Sequence, residues 1–75
     1  MYYEKGIWVE QNYEKAFKYY KLAADQGNSY GQHNLGVSYE KGIGVEQNIE
    51  KAIKYYKLAA DKGYAKAQIN LSTLV

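Results

Sequence analysis

The stretch Asn48-Ile-Glu-Lys-Ala-Ile-Lys-Tyr-Tyr-Lys-Leu-Ala-Ala-Asp-Lys-Gly63 decides the fold of this chain, because it occurs twice. The earlier copy, Asn12-Tyr-Glu-Lys-Ala-Phe-Lys-Tyr-Tyr-Lys-Leu-Ala-Ala-Asp-Gln-Gly27, lies 36 residues before it. When Tyr3–Gly27 is aligned with Tyr39–Gly63, 21 of the 25 pairs are identical. A period of this size is typical of helical solenoid repeats. The sequence therefore predicts a repeat protein.

The composition excludes several classes of function. The 75 residues make one small domain with no cysteine, so disulfides and thiolate metal sites are excluded. The net charge of +2 is too small for the strongly basic surface that is typical of nucleic-acid-binding proteins. All ten basic residues are lysine. The chain therefore has no arginine, the side chain that binds phosphate and guanine through two parallel hydrogen bonds. We expect no nucleic-acid partner.

The hydropathy pattern predicts no membrane insertion. No apolar run approaches the ~18 residues that a membrane span requires. The start, Met1–Lys5, has neither an apolar segment nor a basic leader, and therefore predicts no signal peptide. The cytoplasm is the slightly favoured location.

Glycine and asparagine divide the chain into helices. Glycine allows the left-handed conformation that ends a helix, and an asparagine side chain caps the start of one. The short connections predict antiparallel neighbours. The predicted segments are a helix end at Met1–Lys5 stopped by Gly6, a loop at Ile7–Gln11, a helix from the cap Asn12 to Gln26, a helix at Ser29–Lys41, a helix from the cap Asn48 to Gly63, and a helix from Ala65 that is still running at Val75.

Helical wheels predict which faces are buried. In the third long segment, the predicted core stripe is Ile49, Ala52, Tyr55, Tyr56, Ala59, Ala60 and Gly63. In the second, it is Gly31, Gln32, Leu35, Gly36 and Tyr39. The other side of the second helix carries Tyr30, His33, Asn34, Val37, Glu40 and Lys41. A tyrosine, a valine and a histidine are unusual on a purely solvated face, so this side is a candidate partner surface.

These residues resemble the Sel-one-like repeat (SLR), a tetratricopeptide-like class of helix pairs. The residues that carry the resemblance are Gln32, Leu35, Gly36, Tyr39, Gly42, Gly44, Val45, Asn48, Lys51, Ala52, Tyr55, Tyr56, Ala59, Ala60 and Gly63. The resemblance implies an all-α, α/α solenoid of antiparallel helix pairs, with about two 36-residue repeats and partial helices at both ends. The repeat copies would lie at about 3–38 and 39–75 within one domain, 1–75.

The resemblance also implies a function. Members of this class are adaptors or scaffolds, and related modules bind peptides along the concave face formed by the first helix of each pair. The implied partner-binding residues are Tyr30, His33, Asn34, Val37, Glu40, Lys41, Lys66, Ile69 and Asn70. The partner would be a protein or peptide of unknown identity.

Two departures from the repeat pattern bear on packing. Trp8 stands where the second copy has Gly44, so that if this position needs a positive φ, either Trp8 is strained or the first loop differs from the second. Ser72 stands in place of Gly36, and Leu74 and Val75 follow it, so the last helix either packs differently or ends the array.

Catalysis is poorly supported by the sequence. His33 is the one histidine in the sequence, and the sequence has no cysteine and no serine–acid pair at a catalytic motif spacing from it. A metal site built from His33 and Glu40 would need further ligands that the sequence does not indicate. We therefore expect no enzyme, no metal and no cofactor.

The ends of the chain predict an alternative function, a self-associating structural unit. About three repeats with polar caps are normally needed for a stable solenoid, because a single repeat cannot bury its own apolar faces. The apolar residues at the ends are Met1, Tyr2, Tyr3, Leu71, Leu74 and Val75. They predict either a fragment of a longer repeat array or a head-to-tail homo-oligomer.

Overall fold

A computed structural model describes the backbone of residues 5–75 and the side chains from Asn12 onward. The described part is all-α, as predicted, and contains no strand. Each helix packs against the next one in the chain, which is the arrangement of a helical solenoid. The helices are α1 (Lys5–Asp25), α2 (Ser29–Lys41), α3 (Ile49–Asp61) and α4 (Ala65–Leu74).

The predicted asparagine cap of α3 is confirmed, and α2 has one of the same kind. The Asn48 side-chain oxygen accepts from the Lys51 backbone N–H at 3.0 Å. Asn28 accepts in the same way from Gly31 at 2.8 Å. Each cap satisfies a backbone donor that the first helical turn leaves without a partner. Both helices therefore begin at positions that the sequence determines locally.

The core consists of alanines packed against tyrosine rings. Ala52, Tyr56 and Ala59 of α3 are fully buried, and Leu35 of α2 is fully buried as well. A Cβ added to Gly36 would lie 2.6 Å from the Tyr56 ring, so the missing side chain is what admits that ring. The close approach of α2 and α3 follows from this pairing of a glycine with a large aromatic residue.

A glutamine at the same position of each repeat ties helices together. The Gln32 side-chain amide donates to the carbonyl oxygen of Ala24 at 3.4 Å. Gln68, 36 residues later, donates to Ala60 at 3.3 Å. Both carbonyls lie in the last turn of a helix, where intrahelical donors are lacking. The hydrogen bond thus repeats with the sequence.

The prediction for residues 6–12 is wrong. Gly6 does not end a helix, Ile7–Gln11 is not a loop, and Asn12 is not a cap, because α1 runs without interruption from Lys5 to Asp25. The second copy does form the loop, and Gly44 within it has a φ of +75°. An L-residue such as Trp8 rarely adopts this conformation, so the first copy does not form the loop that the second copy forms.

Two predictions about buried and exposed residues also need correction. Ile49 was expected in the core, but its side chain is 40% exposed. Leu71 and Leu74 were expected to lie exposed at an open end, but both are half-buried and pack against the core cluster. Val75 is exposed. Met1, Tyr2 and Tyr3 lie outside the described residues.

Within the part of the chain that the structure describes, no helix is both long enough and apolar enough to cross a membrane.

Candidate partner-binding surface

Side chains of α2 and α4 meet across a shared face, which we call the α2–α4 surface. The residues predicted on these two helices are Tyr30, His33, Asn34, Val37, Glu40, Lys41, Lys66, Ile69 and Asn70, and their membership of one binding surface stays a prediction. The amide nitrogen of Asn70 lies 3.0 Å from Nε2 of His33. Tyr64, just before α4, has its ring centroid 5.1 Å from the His33 ring and 6.3 Å from the Tyr30 ring. These contacts link side chains of α2 to side chains at the start and in the middle of α4.

His33 is a packing residue of this surface and not an exposed one. Only 8% of it is exposed, and its ring also lies 5.8 Å from the Tyr56 ring. The expectation that it stands on an open helix face is therefore wrong. A helical wheel describes one helix at a time, whereas Tyr64 and Asn70, which cover the ring, lie outside α2 and more than 30 residues later in the chain.

The environment of His33 favours its neutral form. Burial lowers the pKa of the imidazole below its ordinary value, and the nearby Lys66 ammonium lowers it further, while Asn34 opposes the shift. Nδ1 of the ring is buried and has no hydrogen-bond partner among the described residues. A neutral ring that accepts the Asn70 N–H at Nε2 fits this arrangement.

Glu40 does not pair with His33. Its carboxylate oxygen accepts a hydrogen bond from the Tyr56 hydroxyl at 2.7 Å. Burial raises the pKa of the Tyr56 hydroxyl, and the hydrogen bond to Glu40 raises it further. Because the two predicted site residues are held by different partners, the structure supports no acid–base pair between them.

Four of the predicted side chains are accessible, three of them near the contact between α2 and α4 and one, Lys41, at the far end of α2. Tyr30 is 58% exposed and Ile69 is 64% exposed, and Lys66 on α4 is also exposed. Lys41 is exposed at the far end of α2. Val37 is half-buried against the core cluster, and Asn34 and Asn70 are half-buried as well. The accessible part is thus an aromatic ring, an aliphatic side chain and an ammonium group.

The helical wheels missed a second apolar surface, on α1. Tyr19 is 71% exposed and Leu22 is 61% exposed, with Lys15 and Lys18 beside them. The repeat equivalent of Tyr19 is Tyr55, which is only half exposed because it stacks on Tyr39. Comparison of the two repeat copies could have found this surface, because in the second copy the Tyr39 ring covers Tyr55, the equivalent of Tyr19.

The described residues contain no cluster of three or more histidine, cysteine or acidic side chains that could hold a metal ion.

The fold and the accessible side chains define an α-helical repeat protein of the solenoid class. Residues 1–28 and 29–64 match the sequence profile of the Sel1 repeat, and the chain belongs to that family. Sel1 repeats are generally protein-interaction modules, and their scaffolds are typically non-catalytic. A comparison with curated protein sequences gave no match.

A solved structure supports the same assignment. The crystal structure of a Sel1 repeat protein from Oxalobacter formigenes is similar to this chain, with a TM-score of 0.82 and 45% sequence identity. The similarity covers 95% of this chain and 29% of that one. The chain thus spans less than a third of the length of the solved protein that it matches.

Proposed function

We propose that this chain is an adaptor or scaffold module that binds a segment of a partner protein on the α2–α4 surface. The observation that carries the proposal is the exposure of Tyr30 and Ile69 on two neighbouring helices, with the Lys66 ammonium on the same surface. Binding energy at protein interfaces concentrates in a few aromatic and large side chains. The α2–α4 surface offers an aromatic side chain, Tyr30, and a large aliphatic one, Ile69, together with the Lys66 ammonium.

The contacts beneath the surface support the proposal. His33, Tyr64 and Asn70 connect α2 to α4 through a hydrogen bond and ring contacts. A surface that is already ordered loses less conformational entropy when a partner binds. The buried residues of the predicted set would therefore contribute by holding the accessible ones in place, and Glu40 would do so through Tyr56.

The test is a quantitative pull-down that compares variants of the full chain. A partner captured by the wild type should be lost or strongly reduced with Tyr30→Ala and with Ile69→Ala. Lys54→Ala is the matched control, because Lys54 lies on the exposed polar side of α3. Equal capture by all four proteins, or equal loss with Lys54→Ala, would contradict the proposal.

A second candidate function is self-association. The observation that favours it is the exposed apolar surface at both ends of the described fold, Tyr19 and Leu22 on α1 and Ile69 and Val75 at α4. In a head-to-tail assembly, α4 of one copy would pack on α1 of the next as α2 packs on α3. Sedimentation velocity from micromolar to millimolar concentration tests this, and a constant monomer mass over that range would exclude it.

A further inference from the structure

One of the helix contacts in the described part of the chain occurs only once. There, α1 packs on α2, α2 packs on α3, and α3 packs on α4. Because the repeat is 36 residues long, the contact of α3 with α4 is the counterpart of the contact of α1 with α2. The contact of α2 with α3 has no such counterpart. The α3 side of it nevertheless has an equivalent on α1, and the α2 side has an equivalent on α4.

Two residue pairs define the contact between α2 and α3. A Cβ on Gly36 would lie 2.6 Å from the Tyr56 ring. Tyr39 stacks on Tyr55, with ring centroids 5.8 Å apart and planes at 7°. Tyr56 is fully buried and Tyr39 is 8% exposed. The contact therefore joins a glycine that admits one ring and a tyrosine that stacks on another.

The equivalents of these residues in the other copy are more exposed. On α1 they are Tyr19, which is 71% exposed, and Tyr20, which is half-buried. On α4 they are Ser72, which is exposed, and Val75, which is 80% exposed. This difference in burial is expected when one half of a contact is present without the other. The α1 helix carries the α3 half, and α4 carries the α2 half.

We propose that α4 of one copy packs on α1 of a second copy in the register of the α2–α3 contact, with Ser72 against Tyr20 and Val75 against Tyr19. The proposal deepens the second candidate function, self-association, and rests on it. The two halves of the contact differ, so each copy in a pair keeps one unpaired half. Contacts of this heterologous kind join copies head to tail, in an open chain or a ring.

Two differences between α4 and α2 make this contact weaker than the one inside the chain. Ser72 brings a Cβ to the position at which Gly36 admits a ring, and overpacking of this kind is unfavourable. Val75 replaces the stacked ring of Tyr39 with a smaller side chain, which buries less apolar surface. We therefore expect weak association of the wild type and tighter association of variants in which α4 has the residues of α2.

Sedimentation velocity on the full chain tests the expected strengthening. Ser72→Gly should lower the dissociation constant about tenfold, because it removes the overpacking against Tyr20. Thr73→Gly is the matched control, since it also places a glycine at an exposed position of α4 but lies outside both proposed pairs. Association of Ser72→Gly that is no tighter than that of the wild type, or equal tightening with Thr73→Gly, would overturn the proposal.

A disulfide experiment tests the register. The sequence contains no cysteine, so any disulfide joins introduced residues. A Cβ on Gly36 would lie 3.1 Å from Cγ of Tyr56, which places the Cβ atoms of these two positions within reach of a disulfide. An equimolar mixture of Ser72→Cys and Tyr20→Cys should therefore give a covalent heterodimer under mild oxidation. A mixture of Thr73→Cys and Tyr20→Cys is the control and should give much less.

The two experiments together separate this register from self-association in general. A mass that rises with concentration, with the expected heterodimer, supports both. Association without the heterodimer, or with Ser72→Cys homodimers as the main product, would overturn the register and leave self-association standing. A constant monomer mass up to millimolar concentration would overturn both. Should circular dichroism show that Tyr20→Cys is unfolded, Val75→Tyr decides, because the proposal fails unless it associates more tightly than the wild type and Thr73→Tyr.

Discussion

The Tyr56 hydroxyl donates a hydrogen bond to the Glu40 carboxylate at 2.7 Å, and the two residues lie 16 positions apart on different helices. The Tyr56 ring is fully buried beneath this bond, and Glu40 is half-buried. The bond fixes the end of α2 to the middle of α3. Among the described residues, Tyr56 therefore supplies both the largest fully buried side chain and a polar contact at the edge of the core.

We expect Tyr56→Phe to destabilise the fold without changing it. The substitution keeps the ring and removes the hydroxyl, and a hydrogen bond to a charged group contributes about 1.5–3 kcal/mol. Urea unfolding measures the change in the free energy of unfolding. Tyr19→Phe is the matched control, because the Tyr19 ring is mostly exposed. Equal stability of the two variants would show that the bond contributes nothing.

Gly36→Ala should also be destabilising. Alanine favours a helix over glycine by up to about 1 kcal/mol. The new Cβ would lie 2.6 Å from the Tyr56 ring, however, and overpacking of this kind costs about 1–3 kcal/mol. Ser72→Ala, at the exposed equivalent position, should change stability by less than about 0.5 kcal/mol. A more stable Gly36→Ala variant would mean that the ring moves aside freely.

His33 should make the stability of the fold depend on pH. Its pKa is lowered in the folded state, so the unfolded chain binds a proton first as the pH falls. The free energy of unfolding should therefore be constant above about pH 7 and should decrease as the pH falls through the ordinary histidine pKa of about 6.5. Urea unfolding between about pH 5 and 7.5 measures this window, in which an ordinary histidine titrates.

The matched control for the pH experiment is His33→Gln, which removes the titrating group and keeps a side chain that can accept a hydrogen bond. Its free energy of unfolding should stay nearly constant across the same window. A wild type whose stability rises on acidification would show that the folded state raises the pKa of His33 instead.

Leu71→Lys and Ile69→Lys should separate folding from self-association. Leu71 is half-buried against the core cluster, so a lysine there should lower the melting temperature of the monomer as well. Burying a leucine is worth about 1.5–3 kcal/mol. Ile69 is mostly exposed, and Ile69→Lys should leave the melting temperature nearly unchanged. If Ile69→Lys shifts the sedimentation of the chain toward monomer, the open face of α4 is an interface between copies.

Much of the fold follows from local signals. The bounds of α2, Ser29–Lys41, agree with the prediction because Asn28 and Gly42 act within one helical turn of the ends that they define. The alanine and tyrosine stripe of α3 follows from helical periodicity alone. Ile49 and Gly63, at the two ends of the predicted stripe, are exposed, because periodicity shows direction and does not show whether a neighbouring helix reaches that far.

The sequence predicted which side chains share a side of α2, and it did not predict which of them are accessible. The wheel placed Tyr30 and His33 on one side of α2, which agrees with their shared contact with Tyr64. It could not show that His33 would be covered, because the covering side chains follow more than 30 residues later in the chain.

The sequence by itself determined the repeat, the helix periodicity, and the caps and glycine ends of α2 and α3, since each depends on residues within a turn or two of one another. Only the tertiary structure decided which polar side chains are buried and what the first copy of the loop becomes. His33 is buried because Tyr64 and Asn70, more than 30 residues later in the chain, pack over it. The loop forms where Gly44 meets the backbone of α1, and no equivalent glycine is present at Trp8. Burial is a property of neighbouring helices, so it is settled by their packing.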